Sequence, residues 1–198
     1  GSAGGGKASS TSHIEFNPTS TLRKKGGVDE HAQIIRQLLN KLGGNSNNTA
    51  IKDELFTLIG EIFSSDIAHE DVVTLVHQIF STLSGNLFYS TVYSKLFTEL
   101  MSTNVVFGEV LAAQFSAYLA GYRNIRSIDP ATDYDGFCDM NKSNDARKSL
   151  TAFYAKLYVH GKISHNAMSN TIVAVTRMLR DNLHAGDEQQ LVTELVEN

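Results

Sequence analysis

The sequence holds no tryptophan, one cysteine and only two prolines in 198 residues. A lone thiol, Cys138, forms no internal disulfide, which excludes the disulfide-stapled secreted scaffolds. Proline breaks helix interiors and marks turns. With Pro18 and Pro130 alone, the chain can be helical almost throughout. Charge is modest and mixed: 17 Lys and Arg stand against 21 Asp and Glu, a net of −4. That balance excludes a general phosphate binder, whose affinity depends on clustered basic residues. No apolar run approaches the roughly 18 residues of a membrane span, so no membrane partner is expected. What is present is a 41% hydrophobic chain, too apolar to be disordered and long enough for one continuous core.

Residues 1–27 read as a glycine-rich cloning remnant followed by a flexible arm rich in Ser, Thr and Gly, without apolar periodicity. The arm contains Ile14-Glu15-Phe16-Asn17-Pro18, then Leu22-Arg23-Lys24-Lys25. It is either plain linker or a segment that orders against a partner, with Phe16 as its aromatic anchor. No apolar stretch follows a basic start, so no secretory signal is expected.

Residues 28–198 form the body, in which apolar residues recur at helical spacing. The first set is Ile34, Ile35, Leu38, Leu39 and Leu42, stopped by Gly43-Gly44, because glycine enters the left-handed conformation cheaply. Thr49 is expected to cap a second helix bearing Ile51, Leu55, Phe56, Ile59 and Ile62. A third begins near His69 and a fourth carries Leu87, Phe88, Val92, Tyr93, Leu96 and Phe97. A fifth spans Val106 to Tyr122. The polar stretch Arg123 to Asp145 is expected to be one long loop, and helix six to start near Ala146. Helix seven follows Ser164, and an eighth starts at Leu191.

The apolar stripes are wide, so each helix packs on more than one neighbour. Short turns make successive helices antiparallel. The expected fold is all-α, an α-solenoid of about four HEAT-like helix pairs, with a compact helical bundle as the alternative.

Chemistry-bearing patterns are sparse. Seven histidines (13, 31, 69, 77, 160, 165 and 184) make no metal-ligand spacing. No glycine-rich loop follows a strand, and no nucleophile elbow is present. A calcium loop started at Asp133 puts Phe137 at position 5 and Cys138 at position 6, where an oxygen ligand and glycine are needed. No cofactor, metal or catalytic residue is expected. Basic edges at Arg36 with Lys41, Arg147 with Lys148, and Arg177 with Arg180 support at most weak, salt-sensitive mRNA contact.

Three stretches carry a family resemblance: Ile35-Arg36-Gln37-Leu38-Leu39-Asn40-Lys41-Leu42; Val72 to Tyr93; and Ala146-Arg147-Lys148-Ser149-Leu150 through Tyr158 to Ser164. In this order they resemble the middle domain of translation initiation factor 4G, a HEAT-repeat scaffold family. The likeness covers about Asp29 to the C-terminus and is divergent enough to admit a virus-encoded relative. It implies a cytoplasmic, monomeric, non-enzymatic scaffold that binds a DEAD-box RNA helicase of initiation factor 4A type and stimulates its ATPase cycle. Other HEAT adaptors of RNA metabolism, without a helicase role, are the alternative. The resemblance maps helicase contacts to Leu39, Leu42 and Tyr158, and a docking arm to Phe16 and Pro18. Leu39 and Leu42 have an alternative role as core. Departures are an Asn-rich turn after Leu42 and Lys156 where a Glu is usual. The chain also ends inside the fourth pair, which puts contact with the far helicase lobe in doubt.

Overall fold

The computed structural model describes residues 28–45, 47–122, 125–184, 193 and 196. The described residues form seven α-helices and no strand: α1 (Val28–Gly44), α2 (Thr49–Phe63), α3 (His69–Ser84), α4 (Ser90–Leu100), α5 (Val105–Tyr122), α6 (Tyr134–Val159) and α7 (His165–His184). The arm and most of the expected eighth helix lie outside the described residues.

Helix α3 is the centre of the packing. It meets α1, α4, α5 and α6; α1 also packs on α2, α4 on α6, and α5 on α7. Phenylalanines from four helices meet edge to face at the middle of this arrangement. Phe97 of α4 lies 5.6 Å from Phe80 of α3, and 5.8 Å from both Phe107 of α5 and Phe153 of α6. Aromatic pairs at these separations add to the area they bury. The stripes read from sequence thus converge on one core, running from Ala32 to Ile163.

Local signals set the helix ends, with corrections to three expectations. The cap of α2 is Asn48, not Thr49: the Asn48 Oδ1 accepts from the Ile51 amide at 3.1 Å, satisfying one of the free amides of the first turn. Leu87 and Phe88 precede α4 and are 53% and 87% exposed, so they do not belong to its buried stripe. The expected long loop is half helix, because α6 already starts at Tyr134, where the Asp133 carboxylate accepts from the Gly136 amide at 2.9 Å. The end of α6 has a Schellman pattern. The Lys162 amide donates to the Leu157 carbonyl and the Gly161 amide to the Tyr158 carbonyl, both at 2.9 Å. Gly161 supplies the left-handed turn with φ 71°.

Helix α5 is long and apolar enough to cross a membrane by length and composition, contrary to the expectation that no stretch is. Its residues Val106, Phe107, Val110, Leu111, Tyr118 and Tyr122 are buried within the fold instead.

The end of α1 fits tightly under the start of α4. The Tyr93 hydroxyl, on a fully buried ring, donates to the Leu39 carbonyl at 3.1 Å. A Cβ added at Gly43 would lie 2.6 Å from that hydroxyl oxygen and 2.9 Å from the Tyr89 ring. Gly43→Ala therefore forces Tyr93 off its acceptor. The expected cost is about 1–3 kcal/mol, read as a lower urea midpoint; an unchanged midpoint refutes the close fit.

Candidate partner-binding surface

The residues singled out in the sequence separate into buried, half-buried and exposed groups. Phe16 and Pro18 lie outside the described residues. Leu39 is 0% exposed and Leu42 is 3% exposed. Both belong to the buried core, so their burial favours the alternative role of packing, although Leu42 also lines the cleft between α1, α2 and α4. The reason is long-range: α4 closes over the end of α1, and nothing local to that helix encodes it.

Tyr158 fares differently. It is half-buried near the end of α6, and its hydroxyl pairs with the His165 Nδ1 at 3.1 Å across the turn into α7. A ring with one apolar side against the core and a polar tip outside suits a rim contact. The exposed Val159, His160 and Gly161 follow it directly. His160 Nε2 lies 3.4 Å from the Ser94 Oγ of α4. That Ser–His pair is structural: Ser94 is entirely buried, and its hydroxyl also donates to the Thr91 carbonyl at 3.1 Å.

The basic residues fall on three helices. Arg36 and Lys41 are exposed on α1, and Arg177 and Arg180 on α7, where Arg180 pairs with Asp181 at 2.9 Å. On α6, Arg147 and Lys148 are half-buried, and Arg147 donates to the Asn144 Oδ1 at 2.7 Å. Helices α1, α6 and α7 have α3, α4 and α5, respectively, as main packing partners.

The aspartates of the 129–145 stretch have local roles. Asp129 Oδ1 accepts from the Ala131 amide at 2.9 Å, Asp133 caps α6, and Asp139 pairs with Lys142 at 2.9 Å. That bond holds the Lys142 ammonium above its ordinary pKa. Among the described residues, no group of three or more His, Cys, Asp and Glu side chains is placed to hold a metal ion.

Sequence reasoning missed two surface features. One is the Leu87-Phe88 pair, held out by a tight turn in which Asn86 Oδ1 accepts from the Tyr89 amide at 3.1 Å. Phe88 stands edge-on against the Tyr89 ring at 4.9 Å, which in turn leans on Tyr93 at 5.6 Å. The Ser84-Gly85-Asn86 turn signal identifies the start of this segment, but the apolar spacing beyond it mimics a helix. The other is a cleft of about 200 Å³ between α1, α2 and α4, floored by Leu42 and Leu96. Its rim holds Lys95 and the ion pair between Lys52 and Glu99.

A buried polar cluster lies deeper. Tyr118 pairs with Thr151 at 2.6 Å and with Tyr122 at 2.9 Å. The Tyr154 hydroxyl beside them has no hydrogen-bond partner. Burial raises the pKa of both Tyr118 and Tyr154 well above the ordinary tyrosine value, so both stay neutral and act as core. An unpartnered buried hydroxyl costs roughly 1–3 kcal/mol. Tyr154→Phe is expected to raise the urea midpoint, while Tyr118→Phe lowers it. Equal shifts of one sign contradict this assignment.

Comparison with protein-family models, with curated proteins and with solved structures finds no match to this chain.

Proposed function

We propose that this chain is a non-enzymatic scaffold of the initiation factor 4G middle-domain type, a HEAT-like helical stack that binds a DEAD-box RNA helicase and stimulates its ATPase cycle in the cytoplasm. One observation supports the reading most. The three stretches that carry the resemblance fall on α1, on α3 to α4, and on α6 into α7, and α3 packs against α1, α4 and α6. Their order in sequence thus coincides with one packed unit. Contact between alternate helices (α1 with α3, α3 with α5, α5 with α7, α4 with α6) is what a layered helical stack requires. Such stacks offer extended surfaces to partners, and the exposed Phe88, Val159 and half-buried Tyr158 provide apolar anchors for one.

The test is retention of a purified initiation factor 4A-type helicase on the immobilised chain, with its ATP turnover measured alongside. Tyr158→Ala is expected to weaken retention roughly tenfold or more, as truncation of an interface anchor does, while the chain stays folded. Binding at parental strength by a folded Tyr158→Ala chain removes the carried-over contact. No retention by the parent, with RNA held instead and released steeply by salt, favours the adaptor reading.

A further inference from the structure

Charge is divided along α3, α4, α6 and α7. Residues 72–98 and 146–180 hold none of the chain's 21 Asp and Glu, yet carry Lys95, Arg147, Lys148, Lys156, Lys162, Arg177 and Arg180. Helices α4 and α6 run antiparallel, since Ser94 meets His160 and, three residues further along α4, Phe97 meets Phe153. The turn before α4 and the turn after α6 therefore emerge at one end. The carboxylates of these helices lie towards the other end. Glu70 and Asp71 open α3, and Glu99, near the close of α4, pairs with Lys52. Asp135, Asp139 and Asp145 occupy the first half of α6, and Asp181 the last turn of α7. At the acid-free end three large apolar side chains stand exposed: Leu87, Phe88 and Val159. None of them belongs to the core. Lys95 and Lys156 lie within about one turn of the contact between Ser94 and His160, and Lys162 follows in the turn after α6. None of these three lysines forms an ion pair among the described residues.

We infer that this end docks an acidic, amphipathic segment of a partner protein, whose apolar residues cover Leu87, Phe88 and Val159 while its carboxylates face Lys95, Lys156 and Lys162. Complementary charge steers such an encounter and fixes its register, and buried apolar side chains supply the anchors. The chain as a whole carries a net −4, so it repels an acidic partner everywhere that charge is not locally reversed. The separation of charge along these four helices makes this end the exception. A nucleic acid fits it less well. Single strands are held by rings on which successive bases stack, and Phe88 is the one exposed aromatic ring at this end among the described residues. Leu87 and Val159 offer nothing to a phosphate. The inference does not rest on the helicase reading, because it concerns the chemistry of the segment, whichever protein carries it.

The experiment titrates the full-length chain into a fluorescein-labelled synthetic peptide with Leu along one side and Glu along the other, and into its counterpart with Lys for Glu. Anisotropy reads the binding. The Glu peptide is expected to bind at least about tenfold more tightly than the Lys peptide. Lys156→Glu and Phe88→Ala, both at exposed side chains, are each expected to weaken it roughly tenfold. Lys142→Glu makes the same charge change on the first half of α6 and is expected to leave the affinity unchanged. Equal binding of the two peptides overturns the inference. So does an equal loss in Lys142→Glu and Lys156→Glu, which reports net charge alone. A labelled uridine oligonucleotide run in parallel decides the class of partner. If it binds more tightly than the Glu peptide, with a loss in Lys156→Glu and none in Phe88→Ala, RNA occupies this end and the inference fails.

Discussion

Phe97→Ala is expected to cost about 3–5 kcal/mol of folding free energy. The ring is fully buried and meets Phe80, Phe107 and Phe153, each from a different helix. Removing it opens a void bounded by four elements, none of which can relax inward without losing its contacts with the others. The cost of a truncation grows with the cavity that remains, so a site that cannot collapse lies at the upper end. Against a total stability of roughly 5–15 kcal/mol for a single domain, this is a large share of the total. Phe88→Ala is the matched control, since that ring is 87% exposed and surface changes stay within about 0.5 kcal/mol. Urea titration of the two proteins checks the pair; similar midpoints contradict the placement of these rings.

The all-helical class and most of the core were legible because α1 to α4 each write their buried side in the spacing of apolar residues, whereas α5 is apolar on all sides and, on α7, Ile172 and Val173 of the expected stripe are exposed. The first half of α6 was not. From Tyr134 to Asp145 only Met140 and Asn144 are buried, too few to make a stripe, and the polar composition imitates a loop. That half-helix follows from the Asp133 cap and from continuity with the strongly apolar 146–159 half. Leu87 and Phe88 show the reverse failure, in which apolar residues at helical spacing lie outside the helix, held by a turn. The candidate surface was legible only where exposure agrees with local pattern, as at Tyr158. Periodicity reports that one face of α1 is apolar and is silent about what covers it. The Tyr93 hydroxyl reaching the Leu39 carbonyl spans 54 positions, and no local pattern encodes such a contact.

Leu39→Ala brings that difference to a measurable point. Leu39 is 0% exposed in the core of α1, so its truncation is expected to cost about 2–5 kcal/mol. The resemblance assigns the same residue to helicase contact, and the two roles give different experimental signatures. If Leu39 acts through packing, loss of helicase retention follows the unfolded fraction. At a cost of about 3 kcal/mol the ratio of folded to unfolded chain falls by roughly 150-fold, which empties the folded state only where the parent is itself marginal, so retention is measured just below the parent's melting temperature. An osmolyte such as sucrose, which favours the compact state, then restores folding and retention together. If the side chain meets the partner, retention stays low after folding is restored. The fold favours the first outcome, because the Tyr93 hydroxyl bonds the Leu39 carbonyl and the aromatic turn at Tyr89 closes against Gly43. Denaturation and helicase retention measured on the same Leu39→Ala preparation, with and without sucrose, decide between them. Retention absent from a chain as stable as the parent would return Leu39 to the interface.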